Sequence, residues 1–197
     1  QSINPRQGGS GVWDSRFSWS PDGRRIVFSH GSNELSNLYT LDVESGELVQ
    51  VTNLPGRNRF PDWGSDGQTI LYVRQLKNIA EYWTLNIETR VETKVQVEFD
   101  GAGSYAEWSP NMKWFVFQRM TASGFSTYIT SYENGKTYRL GPQGYMSWGP
   151  TWDNSGDTVM FHSMRFSGPM ILHDGESGTS EPILKGFYPI GRKWASW

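Results

Sequence analysis

The chain has 197 residues, enough for one domain of ordinary size to bury its own core without metals or disulfides. A formal charge of −2 supplies no long-range field for nucleic acid or an anionic membrane, and the lack of cysteine removes disulfide frameworks, thiolate metal sites and Cys nucleophiles. With 36% apolar residues, 19% charged and 10 Trp, the composition is that of a folded, aromatic-rich chain, and no apolar run reaches the roughly 18 residues of a membrane helix.

Residues 1–10 read as an extension ahead of a repeated region at 11–197. Gln1 in place of an initiator Met is what a mature exported chain or an excised domain carries, so a secreted, periplasmic or extracellular location is expected. Trp19, Trp63, Trp108, Trp152 and Trp197 then recur at spacings of 44, 45, 44 and 45 residues. In the first repeat a strand ends at Trp19, the tetrad Ser20-Pro21-Asp22-Gly23 turns the chain, and Ile26-Val27-Phe28 begins a second strand. Proline presets φ in such a turn, aspartate bonds its own backbone, and glycine accepts φ > 0. A third run around Tyr39, a turn at Glu44-Ser45-Gly46 and a fourth run at 48–52 complete the unit.

The second repeat copies this with Trp63-Gly-Ser-Asp-Gly67, Ile70-Leu71-Tyr72, Trp83 and 92–95. The third has Trp108-Ser-Pro-Asn-Met112, Phe115-Val116-Phe117, Tyr128 and 137–140; Asn111-Met112 replaces Asp-Gly, so this turn is expected to be wider or more strained. The fourth has Trp152-Asp-Asn-Ser-Gly156, Val159-Met160-Phe161, Leu172 and 181–184. Four short strands recurring at this period, with no sustained 3.6-residue periodicity, are the pattern of propeller blades. An all-β propeller of four-stranded antiparallel blades is predicted, with repeats at about 11–56, 57–100, 101–144 and 145–186 and a partial repeat at 187–197 as a surplus first strand. That strand predicts a larger ring, or a ring or sheet edge completed by another chain.

The segment Phe17-Ser-Trp-Ser-Pro-Asp-Gly-Arg-Arg-Ile-Val-Phe28 resembles the repeat of the TolB-type propellers, and degraded copies follow at Pro61, Ala106 and Pro150. The resemblance implies the fold, and six or more blades, but hardly a function, because propellers of this type serve many unrelated tasks. It also implies that peptidases bearing such a propeller keep their catalytic triad in a separate domain.

The candidate site residues are few. His30, Arg74, Arg119 and Arg165 each fall between second and third strands, where they can ring one mouth and hold a carboxylate, a phosphate or an acidic peptide, or else pair within their own hairpins. Asp62 and Glu107 precede repeat Trp residues and turn to the opposite face, where they can hold a cation or be solvated in an axial channel. Loop and terminal aromatics (Trp13, Tyr145, Trp148, Phe187, Tyr188, Trp194 and Trp197) serve partner contact, sugar stacking or plain packing, and Phe187, Tyr188, Trp194 and Trp197 best fit a partner at the chain end. The histidines form no metal-ligand pair and no Gly-x-Ser-x-Gly elbow occurs, so neither cofactor, metal nor catalytic set is predicted. The expected role is a noncatalytic scaffold for protein contact or self-assembly through terminal strands, as a closed dimer or a filament. The alternatives are a glycan- or acidic-ligand-binding propeller and the propeller portion of a larger peptidase.

Overall fold

The computed structural model describes residues 16–32, 34–98, 103–122, 124–141, 143–163, 168–174 and 180–181, the last two stretches by their backbone alone. Every regular element among them is a strand. The first repeat gives β1 (Phe17–Trp19), β2 (Arg25–Gly31), β3 (Ser36–Asp42) and β4 (Leu48–Gln50); the second gives β5 (Arg57–Trp63), β6 (Thr69–Leu76), β7 (Ile79–Asn86) and β8 (Glu92–Lys94). The third gives β9 (Gly103–Trp108), β10 (Trp114–Thr121), β11 (Gly124–Ser131) and β12 (Thr137–Leu140), and the fourth β13 (Ser147–Trp152), β14 (Thr158–Ser163), β15 (Gly168–Asp174) and β16 (Ser180–Glu181).

Within each repeat the strands pair antiparallel in chain order. The third and fourth repeats are separate four-stranded sheets, whereas the first two join into one eight-stranded sheet through a single parallel contact, Ser36 opposite Arg57. Separate blades were expected throughout. The join arises because β4 has only three residues and leaves the first residues of β3 unpaired on that side, so β5 enters beside Ser36 and the Ser36 amide donates to the Gly56 carbonyl at 3.3 Å.

The tetrad turns close as their chemistry requires. Gly23, Gly67 and Gly156 adopt φ of 70°, 70° and 77°, and the Gly23 and Gly67 amides donate back to Ser20 and Gly64 at 2.9 and 3.0 Å. The third turn is not wider: the Met112 amide donates to Ser109 at 2.9 Å. It carries strain instead, because Met112 takes φ 56°, a left-handed conformation that costs a side-chain-bearing residue about 1–2 kcal/mol.

Alternation along these strands sorts the residues onto two faces. In the first sheet Trp19, Ile26, Leu41 and Leu48 stand opposite one another, as do Phe17, Phe28, Tyr39 and Gln50. Val27 and Leu38 point the other way and bury completely against the second repeat, packing with Val51 on Trp63, Ile70, Tyr72, Leu85 and Ile87. The next layer repeats this arrangement: Leu71, Val73, Tyr82 and Val95 cover Trp108, Phe115, Phe117 and Tyr128. Val116, Ile129 and Leu140 then cover Val159 and Phe161. Each core layer therefore lies between repeats that are consecutive in sequence, the back face of one against the front face of the next. At about 1.5–3 kcal/mol for each fully buried large side chain, these layers are the main source of stability.

Arg165, Trp13, Phe187, Tyr188, Trp194 and Trp197 lie outside the described residues. The surplus strand at 187–197 lies outside them as well.

Candidate functional site

Two regions carry the chemistry. The first is the edge where second strands turn into third strands. His30, Arg74 and Arg119 do occupy equivalent positions there, opposite Asn37, Glu81 and Ser126, but inside β2, β6 and β10 rather than in connections, because these hairpins stay paired to their tips. Arg74 does not reach a mouth. It is 2% exposed, ion-pairs with Glu92, donates to Asn58 Oδ1 at 3.0 Å and Tyr72 OH at 2.7 Å, and lies 4.2 Å from the centre of the Trp83 ring. The buried guanidinium is thus occupied within its own repeat, by groups on β5 and β8 as well as on its own hairpin. His30 is half-buried and meets the Tyr39 ring edge-on at 5.9 Å, and Arg119 is half-buried beside Tyr82.

The same edge exposes apolar side chains, of which the sequence points to Tyr145 alone. Leu76 and Ile79 flank the second hairpin tip, Met120 and Phe125 the third, and Leu35 and Tyr145 lie in connections at the same edge. The Ser36–Arg57 contact places the connection entering β5 beside the tip between β2 and β3, so tips and entering connections share one rim. Periodicity could not flag these residues, because each lies at a strand end or beyond it.

The second region is formed by the first strands. The residues before Trp19, Trp63 and Trp108 do face away from the indoles, and they latch one repeat to the next. Ser18 Oγ accepts the Trp63 amide at 3.0 Å, Asp62 Oδ2 accepts the Trp108 amide at 2.8 Å, and Ser18 donates to Asp62 Oδ1 at 3.2 Å. The cation that stands beside Asp62 and Glu107 is the protein's own. Arg16 ion-pairs with Glu107 at 2.8 Å, stands 4.1 Å above the Tyr105 ring and acts on Asp62 through its charge. Tyr105 donates its hydroxyl to Glu107.

Arg16 and Tyr105 both stand three residues before a repeat Trp, the phase also held by Phe60 and Gly149. Phe60, Tyr105 and Gly149 take φ of 52°, 59° and 60°, and the pairing of β5, β9 and β13 slips at these bulges. A bulge adds one residue and re-aims its neighbours, which is how Tyr105 reaches the latch. The repeat arithmetic shows the shared phase but not the bulge.

Burial pushes the Asp62 carboxyl up to about 6, with the Glu107 charge acting in the same direction; the Trp108 amide, Arg16 and Ser18 oppose it. Burial and Glu107 likewise raise the Tyr105 phenol, which stays neutral at physiological pH. A cleft of about 340 Å³ opens beside the latch, lined by Asp62, Glu107, Thr151 and the indoles of Trp63, Trp108 and Trp152. Among the described residues no group of three or more His, Asp or Glu is placed to hold a metal ion.

No family model matches the chain. An uncharacterized protein of Agrobacterium fabrum is 25% identical over 159 residues, which cover 73% of this chain and 52% of that protein. The Tol-Pal system protein TolB of Francisella tularensis is 29% identical over 82 residues, 41% of this chain and 19% of TolB. Dipeptidyl-peptidase 5 of Porphyromonas gingivalis is 22% identical over 150 residues, 69% of this chain and 22% of the peptidase. The chain thus spans about half, or less, of the length of the curated relatives it matches. Among solved structures, TolB from Acinetobacter baumannii superposes with a TM-score of 0.67 at 21% identity, covering 85% of this chain and 42% of that one. An oligogalacturonate lyase from Vibrio parahaemolyticus gives 0.62 at 17% identity, covering 85% and 50%. Consecutive all-β repeats, their tetrad turns and aromatic front faces, and the TolB likeness in both sequence and structure converge: the chain is built from the TolB-type β-propeller repeat.

Proposed function

We propose that the chain is a noncatalytic scaffold, four blades of a TolB-type propeller, whose work is protein contact. The observation that supports it most is the rim of exposed apolar side chains, Leu35, Leu76, Ile79, Met120, Phe125 and Tyr145, carried on short hairpins and connections above a rigid stack of sheets. Apolar groups gathered on one rim of a folded chain mark surfaces that another protein buries. A location outside the cytoplasm belongs to the same proposal.

Photo-crosslinking tests this reading. A benzophenone side chain at Ile79 or Met120 should give discrete protein adducts in the source organism, while one at Val91, exposed at the opposite edge of the second repeat, should give none. Equal labelling at both edges would contradict it. A second reading, the propeller portion of a larger peptidase, draws on the likeness to dipeptidyl-peptidase 5. Linkage to a hydrolase domain in the full gene would establish it.

A further inference from the structure

The third tetrad turn departs from the other three at the position where they hold glycine. Gly23, Gly67 and Gly156 stand four residues after their repeat Trp with φ of 70°, 70° and 77°, and Met112 takes the same place with φ 56°. Glycine adopts that left-handed conformation freely, whereas a side chain there strains the backbone. Such strain persists only where surrounding contacts hold it.

The contacts that hold it lie on both sides of the turn. On one side the Met112 side chain packs against the core layer between the second and third repeats and lies over Gly64, with Sδ 2.9 Å and Cε 2.6 Å from where a Cβ on that glycine would stand. Only a residue without a side chain leaves room for the thioether. On the other side Asn111 Oδ1 accepts from Ser109 Oγ at 2.8 Å and from the Lys113 amide at 3.0 Å, which closes the turn, while Nδ2 donates to Asp157 Oδ1 at 2.9 Å. A Cβ on Gly156 would meet Asn111 Cγ at 2.8 Å. Asn111 and Met112 are thus wedged between a glycine of the second repeat and a glycine of the fourth, and clasp three repeats at one turn. An Asp-Gly pair here would offer neither the amide donor nor the thioether.

The clasp depends on a sulfur that can be oxidised. The chain has no cysteine and six methionines, so its sulfur is all thioether. Met112 is half-buried between exposed Pro110 and Lys113, which leaves the turn open to a small oxidant. Oxidation turns a flexible, apolar thioether into a polar sulfoxide. The S–O group fits neither the contact with Gly64 nor the apolar layer behind it, so the packing that offsets the left-handed backbone is lost.

We propose that Met112 is a modification site for a hydroperoxide, and that its conversion to the sulfoxide releases the clasp between the second, third and fourth repeats. The sulfur lone pair attacks one peroxide oxygen and the O–O bond breaks. Sulfur is oxidised by two electrons and the peroxide is reduced by two. The departing oxygen takes the proton of the transferred one and leaves as water when hydrogen peroxide is the oxidant. The proposal is independent of the scaffold reading.

Hydrogen peroxide treatment of the full chain, followed by peptide-mapping mass spectrometry and thermal melts, tests it. The melting midpoint should fall by about 4 °C or more, in step with the sulfoxide at Met112 and not with that at Met120, which is 57% exposed on the rim. Hydrogen exchange should quicken at the Met112 amide, which donates to Ser109 in the closed turn. Methionine sulfoxide reductase with a thiol should restore the midpoint. Met112→Leu keeps an apolar side chain without the sulfur, so its midpoint should withstand peroxide, whereas Met120→Leu should stay as sensitive as the parent. A midpoint unchanged after full conversion of Met112, a Met112 that stays reduced while Met120 is fully oxidised, or a Met112→Leu variant that loses as much as the parent would each overturn the proposal.

Discussion

Trp19 and Trp63 precede equivalent turns and hold the same register in consecutive repeats, yet one is 49% exposed and the other 6%. Trp108, a further repeat along, is 5% exposed. Neither residue type nor strand geometry separates them. The difference is the presence of a preceding sheet, so in this architecture a side chain's contribution belongs to an interface between repeats rather than to a repeat. Stability of stacked repeats behaves in this way, as a sum of unit and neighbour terms.

Substitutions sharpen the comparison. Trp108→Ala and Trp63→Ala should each lower unfolding free energy in denaturant melts by about 3–5 kcal/mol, since each leaves a cavity between two sheets. Removing the buried cation comes next. Arg74→Met strands Glu92, whose side chain is 12% exposed, and should cost about 3 kcal/mol, whereas Arg74→Met with Glu92→Gln should recover part of the loss. Recovery identical to the single variant would show that Glu92 is not the group stranded.

The latch predicts a pH dependence with a definite sign. Asp62 titrates higher in the folded chain, at about 6, than in the unfolded one, so its protonated form is the one folding favours. Its stabilising term is complete below roughly pH 4 and is lost as pH rises through 6, an effect on the order of 1–2 kcal/mol after allowance for partial solvent exposure. Asp62→Asn should remove this dependence between pH 4 and 7 when its melts are subtracted from those of the parent. The turn carboxylates Asp22, Asp42, Asp66 and Asp153 are held low, chiefly by hydrogen bonds to neighbouring hydroxyl and amide groups, and act in the opposite sense: their contribution is present above about pH 4 and falls away below it. The smallest effect belongs to Trp19→Ala, which should shift the melt of the dilute chain by no more than about 0.5 kcal/mol.

Much of this architecture is legible in the sequence because propeller repeats express themselves locally. The Trp spacing, the Ser-Pro-Asp-Gly turn and the alternation Ile26-Val27-Phe28 each follow from period-two strands and tight turns, and they place the strands close to where they lie. The latch was half legible. Strand alternation from Trp63 and Trp108 sends Asp62 and Glu107 to the far face, but their partner Arg16 reaches Glu107 across 91 residues, a relation no local pattern encodes. Arg74 is half legible for a related reason: the sequence leaves it between a mouth and its own hairpin, and Asn58, Tyr72 and Glu92 come around it only through the pairing of β5, β6, β7 and β8.

The central claim is that consecutive repeats bury equivalent front faces, so that a repeat Trp is buried where another repeat packs on it. Fluorine NMR of 5-fluorotryptophan-labelled chain, with Trp19, Trp63 and Trp108 assigned by single Trp→Phe variants, reads this directly through solvent-isotope shifts. The Trp19 signal should respond to D₂O as an accessible indole and the Trp63 and Trp108 signals as buried ones. Trp63 or Trp108 responding as strongly as Trp19 would contradict it.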